Sequence, residues 1–399
     1  MAKGHNVLTN PERFSKPHTI SREKLEAAAK AACDKLKAFA TEHGYEGFPG
    51  TRTINKRYEL DINKNWEGGL YTGCYWLAYE LTGDEFFRKV AEAQLPSYKK
   101  RIDEKIGMND HDVGFVFSPS CIAAYKLTGN ETAKEYALEA FDYYFNTSYS
   151  KEGKFIIRCW EAWDLYNASG CRTMMDSLMN APFMFWASQM TGNKEYYQAA
   201  VDHNRTTYDY LVRDDGSTFH HYQFDPKTAK PVRGLTFQGH ADDSCWSRGH
   251  SWGVYGFPIA YSYCKEPFLV DAHKDVTYFM LNHLPEDLIP YWDYDFVDGD
   301  EPRDASAGAI AVCGMHEMLR HLPADAEQRA VFESAGPQIL EAIIDKCTGD
   351  IGEEYDGLIH HVTHSKPHGQ GINEMAVYAD YFYLEALLRY LKPDWNKYW

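Results

Sequence analysis

A four-residue turn recurs three times along this chain, each time between two amphipathic segments. The turns are Leu81-Thr82-Gly83-Asp84, Leu127-Thr128-Gly129-Asn130 and Met190-Thr191-Gly192-Asn193. In each, the glycine is typical of the residue that follows a helix, and the Asp or Asn is typical of the N-cap of the next helix. The repeat therefore predicts a chain built of helical hairpins.

Apolar residues at helical spacing predict where the helices lie. The first long helix is predicted over Arg22–Ala40, with Ser21 as its N-cap. Further helices are predicted at Gly73–Leu81, Phe115–Leu127, Ala133–Tyr144, Leu178–Met190, Glu195–Leu211, Tyr255–Cys264, Ala307–Leu322, Phe332–Cys347 and Asp380–Leu391. Alternation suggests short hairpins only near Lys154–Arg158 and Ser217–Phe224.

No Pro/Ser-rich linker, low-complexity tract or charge block divides the predicted hairpins. One domain over residues 1–399 is therefore expected, and its fold class is all-α. About a dozen helices in a chain of this length suit an (α/α)6 barrel of helical hairpins. An open α-solenoid is the alternative.

The repeat also predicts where a site lies. Trp66 and Asp112 each precede the threonine of their turn by 16 residues, and Asp176 does so by 15. Each residue is thus placed at the start of a helix, and in a closed barrel these helix N-termini converge at one mouth. Helix N-termini carry partial positive charge and free backbone donors, which suit an anionic ligand.

Composition excludes some classes of partner and favours a compartment. The net charge of -17, with 41 Lys and Arg against 58 Asp and Glu, argues against nucleic acid. No apolar run approaches the length of about 20 residues that a membrane span needs, and the polar N-terminus does not resemble a secretory signal. Nine scattered cysteines without a CxxC pair fit a reducing compartment. A cytoplasmic location is therefore predicted.

Two carboxylates stand out as candidates for chemistry. Asp112 follows His111 just before a helix, although capping of that helix by Asp112 or Asp110 is an equally simple interpretation. Asp176 lies among apolar residues, which predicts a raised pKa and a role as a general acid. The alternative for Asp176 is a cap, or an ion pair with Arg172.

A third cluster of polar and aromatic residues is punctuated by glycines, which is typical of loops that line a mouth. It contains His220, His221, Gln238, His240, Trp246, Arg248 and Trp252. A metal site from His220, His221, His240, Asp242 and Asp243 is conceivable, but the spacing matches no strong metal motif and no metal is predicted. For the tryptophans, core packing is the alternative. No GxGxxG or GxSxG motif is present, which disfavours dehydrogenase and esterase functions.

Several stretches together resemble the unsaturated glucuronyl hydrolases of glycoside hydrolase family 88. They are Asn65-Trp66, Tyr75–Glu80, His111–Phe115, Met175-Asp176, Thr218–His220, Phe224–Pro226, Gln238-Gly239, Trp246–Phe257 and Asp380–Leu388. The resemblance extends over roughly residues 55 to 392, and the run from Arg248 to Phe257 is its most specific part.

The resemblance implies an (α/α)6 barrel that uses no metal or organic cofactor. The implied substrate is an oligosaccharide that ends in a 4,5-unsaturated uronic acid, with a slight preference for glycosaminoglycan disaccharides. Asp176 is expected to protonate carbon 4 and then accept a proton from the water that adds to carbon 5. Asp112 is expected to hold the ring hydroxyls. Sugar contacts are expected from Trp66, His111, Trp160, His220, Gln238, Arg248, Trp252, His364 and Ser365.

The resemblance is incomplete near the mouth. His364 stands where some relatives have Tyr, and His368 and Gln370 stand where relatives that prefer sulfated fragments have Ser and Lys. Three other functions stay open at this point: an unsaturated rhamnogalacturonyl hydrolase that acts on pectin fragments, a sugar 2-epimerase, and a non-catalytic sugar-binding barrel. By the resemblance, Arg248 is a reasonable partner for the uronate carboxylate or for a neighbouring anionic group, because its guanidinium can bind in a fork.

Overall fold

The computed structural model describes residues 3, 7–157, 171–349, 351–352 and 354–399. Most of these residues are helical. The helices are α1 (Arg22–His43), α2 (Gly68–Thr82), α3 (Glu85–Glu104), α4 (Val113–Phe117), α5 (Ala123–Thr128), α6 (Glu131–Ser148), α7 (Ala181–Thr191), α8 (Lys194–Leu211), α9 (Ser247–Cys264), α10 (Phe268–Asn282), α11 (Ala305–Leu319), α12 (Glu327–Lys346) and α13 (Val377–Leu391). A π-helical turn, Ser118–Ile122, joins α4 to α5 into one rod.

The helices form two concentric rings. The inner ring runs through α2, α4 with α5, α7, α9, α11 and α13, and it closes because α13 packs against α2. Each inner helix is covered on the outside by one of α1, α3, α6, α8, α10 and α12. The predicted (α/α)6 barrel is therefore confirmed, and the open solenoid is excluded.

The three predicted turns join helices as expected. Their glycines have positive φ angles of 72°, 69° and 75° at Gly83, Gly129 and Gly192. The side chains of Asp84, Asn130 and Asn193 each accept a hydrogen bond from a backbone N–H in the next helix. Ser21 caps α1 in the same way, by accepting from Lys24 N.

The span of α3 was not predicted, although its start after Asp84 was, α10 was missed, and one helix was drawn as continuous. α3 contains Pro96 and α10 begins directly after Pro267, but proline alone does not explain these differences, because α9 and α12 contain Pro258 and Pro337 and were predicted. The segment predicted as one helix over Phe115–Leu127 contains Pro119 within its π-helical turn. Proline lacks the N–H that a regular helix uses, so the wider turn relieves the mismatch.

Small residues let the inner helices approach closely. A Cβ atom on Gly69 of α2 would lie 2.1 Å from the carbonyl oxygen of Val116, and one on Gly314 of α11 would lie 2.3 Å from that of Val254. Larger side chains at these positions would force the ring apart. No helix in the described part of the chain is long and apolar enough to cross a membrane.

Short strands lie outside the ring. The strands are β1 (Phe48–Pro49), β2 (Leu60–Asp61), β3 (Tyr149–Ser150), β4 (Phe155–Ile156), β5 (Arg172–Met174), β6 (His221–Phe224) and β7 (Pro231–Leu235). The pairs β1–β2 and β3–β4 are antiparallel, and β5–β6–β7 form an antiparallel sheet in which Met174 faces His221 across the ladder. This sheet leads directly into the segment that contains Asp176.

Candidate active site

A cavity of about 230 Å³ opens where the N-terminal ends of the inner helices meet. Residues from all parts of the chain line it: Trp66, Asp110, Asp112, Phe115, Arg172, Met174, Asp176, His221, Phe237, Gln238, Trp246, Arg248, Trp252, His364, Ser365 and Gln370. The helix-start residues Trp66, Asp112 and Asp176, far apart in sequence, therefore meet in one pocket, as the turn repeat predicted.

Three carboxylates gather around one buried imidazole. The Nδ1 atom of His111 lies 2.5 Å from Asp110 Oδ1. Its Nε2 atom lies 3.3 Å from Asp112 Oδ1 and 3.4 Å from Asp176 Oδ1. The ring has no solvent-exposed surface, so it is not a lining residue itself. His111 therefore holds the two candidate catalytic carboxylates from behind the pocket wall.

Asn180 links the same two aspartates by a second route. Its Nδ2 atom donates to Asp112 Oδ1 and to the backbone oxygen of Asp176, each at 3.3 Å. Its Oδ1 atom accepts from Phe115 N at 3.0 Å. An asparagine at a helix start is ordinarily a cap, but the Asn180 side chain does not cap α7. Nothing in the neighbouring sequence therefore marked Asn180 as a residue of the site.

The capping interpretation of Asp112 is wrong. Asp112 occupies the N-cap position of α4, but its side chain makes no capping hydrogen bond. The Asp112 backbone N–H instead donates to Asp110 Oδ1 at 3.1 Å, which tightens the turn before the helix. The Asp112 carboxylate is thereby directed toward His111 and the pocket.

Asp176 lies in a 3-10 turn, Met175–Met179, between β5 and α7. The apolar neighbours expected from the sequence are present, since Met175 and Leu178 are buried. Its own side chain is 13% exposed, so one side of the carboxylate reaches the cavity. Arg172, which the sequence offered as an ion-pair partner, lines the same cavity from β5.

Arg248 belongs to the pocket wall, but its guanidinium is largely engaged inside the protein. Nη1 donates to Asp304 Oδ2 at 2.6 Å and to Thr363 O at 2.8 Å, and Nη2 donates to His364 O at 2.6 Å. Three of the five N–H groups of an arginine are thus used. The predicted fork to a substrate carboxylate can involve only the N–H groups that remain.

His220 is buried beside the Gln238 loop. Its Nδ1 atom accepts hydrogen bonds from the backbone N–H groups of Phe237 and Gln238, at 3.2 and 3.3 Å. Its ring packs 4.4 Å from that of Trp246, and the lining residue is the neighbouring His221. His220 therefore supports the Gln238 loop, and its contact with a sugar stays a prediction.

Aromatic side chains form one wall of the cavity. Trp66 and Trp252 both line it, and each contacts Phe115 edge-on with ring centroids 5.2 Å apart. Trp66 is also stacked on Tyr378, with centroids 5.5 Å apart and an 18° angle between the rings. Such a wall suits the face of a sugar ring. Trp160, the third tryptophan expected here, lies outside the described residues.

A hairpin-like segment over residues 362–374, here termed the rim hairpin, forms one edge of the mouth. It is held by the backbone bridges Val362–Glu374 and Ser365–Gln370. Its lining residues are His364, Ser365 and Gln370. Burial, together with the charge of Arg248, lowers the pKa of His364 well below the usual range, so this imidazole is neutral.

The metal ligands considered from the sequence do not come together. Among the described residues, the one group of three or more potential ligands with its atoms all within 4.8 Å of one another is Asp110, His111 and Asp112. Both ring nitrogens of His111 already face carboxylate oxygens in this group. The arrangement is that of a hydrogen-bonded acid cluster.

A profile of Glycosyl Hydrolase Family 88 matches residues 44–384. The chain belongs to this family. Over 98% of this chain and 97% of the relative, it is 40% identical to an unsaturated chondroitin disaccharide hydrolase of Streptococcus pyogenes serotype M1. The family 88 resemblance seen in the sequence is thereby confirmed, and the chain is a glycoside hydrolase.

Two crystal structures are similar to this family 88 chain over its whole length. The first is an unsaturated glucuronyl hydrolase of Streptococcus agalactiae, with a TM-score of 0.94, 36% identity and coverage of 100% of this chain and 99% of that one. The second is a mutant of that enzyme complexed with dGlcA-GalNAc6S, with a TM-score of 0.88, 34% identity and the same coverage.

Proposed function

We propose that this protein releases 4,5-unsaturated glucuronic acid from the non-reducing end of lyase-generated oligosaccharides, by hydration of the sugar's double bond. The observation that carries the proposal is the pair of carboxylates, Asp112 and Asp176, held on one buried histidine at the bottom of an aromatic-lined pocket. The relatives at 40% and 36% identity carry names for this type of activity.

Asp176 supplies the acid and then the base. It donates its proton to carbon 4 of the double bond, and water adds to carbon 5 while returning a proton to the Asp176 carboxylate. The product at carbon 5 is a hemiketal, which opens to a ketone by breaking the bond to the ring oxygen. Carbon 1 is then a hemiacetal that loses the leaving sugar as its alcohol. The carboxyl group ends the cycle as it began.

Asp112 is the orienting carboxylate in this scheme. It accepts from Asn180 and faces His111, so its position is fixed on two sides. A carboxylate with this support can accept hydrogen bonds from ring hydroxyls and keep carbon 4 next to Asp176. The sequence-based division of labour between the two aspartates is therefore retained as part of the proposal.

The remaining contacts follow from the lining of the pocket. Trp66 and Trp252 offer faces for the sugar ring, and Arg172 brings positive charge toward an anionic substrate. At the mouth, Ser365 Oγ lies 2.7 Å from His368 Nδ1, and Gln370 lines the opening. We propose chondroitin-type or hyaluronan-type disaccharides as substrates. Because Gln370 stands where sulfate-preferring relatives have Lys, we expect activity to depend less on a sulfate group.

Three further expectations from the sequence stay predictions. They are a single catalytic domain over residues 1–399, a cytoplasmic location and activity without a metal or organic cofactor. Fractionation of the native host and assays in the presence of a chelator test the last two.

The decisive experiment follows the ultraviolet absorbance of the conjugated uronate. Unsulfated and sulfated unsaturated chondroitin disaccharides are compared side by side, and loss of absorbance with either supports the proposal. Activity only on unsaturated galacturonyl-rhamnose would contradict it and favour the pectin-directed function. An epimerase would leave the absorbance unchanged.

A further inference from the structure

Asp304 is a fully buried carboxylate that touches the pocket only through another residue. Its Oδ2 atom accepts from Arg248 Nη1 at 2.6 Å, and its Oδ1 atom accepts from the backbone N–H and the hydroxyl of Ser306 at the start of α11. Neither Asp304 nor Arg248 has appreciable exposed surface, at 0% and 2% of the side chain. The pair is therefore a desolvated ion pair in the wall of the mouth.

Arg248 connects this ion pair to the rim hairpin. It donates to the carbonyl oxygens of Thr363 and His364, two consecutive residues of the first strand of the hairpin. The His364 carbonyl accepts a second hydrogen bond from Gln238 Nε2 at 2.8 Å. The backbone of the hairpin is thus fixed where its lining side chains begin.

The carboxylate decides the orientation of the guanidinium. A buried arginine needs a counter-charge, since a desolvated cation with only carbonyl partners is costly. Asp304 holds one Nη1–H, which directs the other Nη1–H to Thr363 and leaves Nη2 facing His364. Stacking of the guanidinium between the rings of Trp246 and Tyr378, at 4.5 and 4.7 Å, fixes its plane.

The rim hairpin lies at the open end of the pocket. His368 and Gln370 near its tip are exposed, whereas Asp112 and Asp176 lie deeper, at 10% and 13% side-chain exposure. In an enzyme that removes a terminal sugar, that sugar occupies the closed end beside the acid. The rest of the substrate then extends past the hairpin.

We propose that Asp304 is a positioning residue for the sugar on the leaving side of the cleaved bond, acting through Arg248 on the rim hairpin. The inference rests on the proposed function. It predicts that loss of the Asp304 charge weakens binding of the leaving sugar while the chemistry at Asp176 continues.

The test compares two substrates in the Asp304→Asn and Asp304→Ala variants. One is an unsaturated chondroitin disaccharide, and the other is the methyl glycoside of 4,5-unsaturated glucuronic acid, which has no leaving sugar at the mouth. For the disaccharide, we expect kcat/KM to fall about tenfold or more, mainly through a higher KM. For the methyl glycoside, we expect kcat/KM to change by less than about threefold. The Asn variant keeps the side-chain volume, so it serves if the Ala variant does not fold.

A matched control breaks a buried ion pair far from the mouth. Glu317→Gln removes the charge that faces Arg389 at 2.9 Å, with both side chains 1% exposed. It should lower the melting temperature without changing the ratio of the two kcat/KM values. Equal losses on both substrates in the Asp304 variants would overturn the inference. Failure of the unaltered protein to process either substrate would instead refute the proposed function.

Discussion

The two ends of the inner helix ring both contain buried charged side chains, but the charges are balanced differently. At the end away from the pocket, Arg389 binds Glu385 and Glu317, each at 2.9 Å, and Lys397 binds Glu317 at 2.7 Å. At the mouth, three carboxylates meet a single imidazole. One end therefore joins its charges in a continuous network of ion pairs, whereas the other gathers three carboxylates around one imidazole.

The difference separates a structural network from a chemical one. Burial alone would raise the pKa of Glu317, but hydrogen bonds from His321 and Lys397 and the charge of Arg389 hold that pKa well below the usual range. A carboxylate with so low a pKa stays ionised and does not act as a proton donor near neutral pH. Carboxylates that lie close together disfavour each other's ionisation, so one of them keeps its proton more readily, which is what an acid catalyst needs.

The largest effect is expected at the mouth. Asp176→Asn removes the proton donor while it keeps the shape of the side chain, and kcat should fall by about a thousandfold or more. Loss of uronate absorbance under saturating substrate measures this. Glu385→Gln at the other end serves as the control and should retain most of the activity. A comparable loss in both variants would show that the two ends do not differ in function.

The next effect is expected at the paired end, and on stability. Arg389→Met leaves Glu317 and Glu385 buried without their shared cation, which should lower the free energy of unfolding by about 3–5 kcal/mol. Urea denaturation measures the change, and kcat/KM below the unfolding transition should be unaltered. An unchanged unfolding midpoint would mean that the network is not structural.

A smaller kinetic effect is expected from Asn180, which contacts both mouth aspartates without lining the pocket. Asn180→Ala removes these two hydrogen bonds and the one from Phe115 N, and the resulting misplacement should lower kcat by about a hundredfold. A shift of the pH–rate profile should accompany the loss, because the carboxylate cluster changes its hydrogen bonding. Asn193→Ala, which removes a cap on α8, controls for general destabilisation and should leave the profile in place.

The smallest effect concerns Asp380, on the same helix as Glu385 and Arg389 but nearer the mouth. Burial raises the pKa of Asp380 to about 7, against hydrogen bonds from Leu358 N and Tyr58 that lower it. The folded state thus holds this proton more tightly than the unfolded state. Its stabilisation is fully present below about pH 4 and is lost as the pH rises toward 7.

Asp380→Asn should therefore flatten the decline of unfolding free energy between pH 5 and 7, by up to about 1 kcal/mol per pH unit. Denaturation across this range measures the slope. Burial also raises the pKa of Glu67 to about 7, so Glu67→Gln should act in the same direction. An unchanged slope in both variants would contradict the assignment of these groups.

Local sequence patterns determined much of the fold and part of the site. Helical periodicity and the capped turns involve residues within a few positions of one another, so the hairpins and the helix starts at Trp66, Asp112 and Asp176 could be predicted. The ring then brought those starts together. The span of α3 and the whole of α10 were not recognised from these local patterns.

Tertiary structure alone decided the partners of these residues. Arg248 meets Asp304 across 56 positions, and Asn180 meets Asp112 across 68. His220 meets the backbone N–H groups of Phe237 and Gln238 across 17 and 18 positions. The identity of a residue gives the chemistry of its side chain. Which groups that side chain faces depends on how the helix ring closes, because hydrogen bonds and ion pairs act over only a few ångströms.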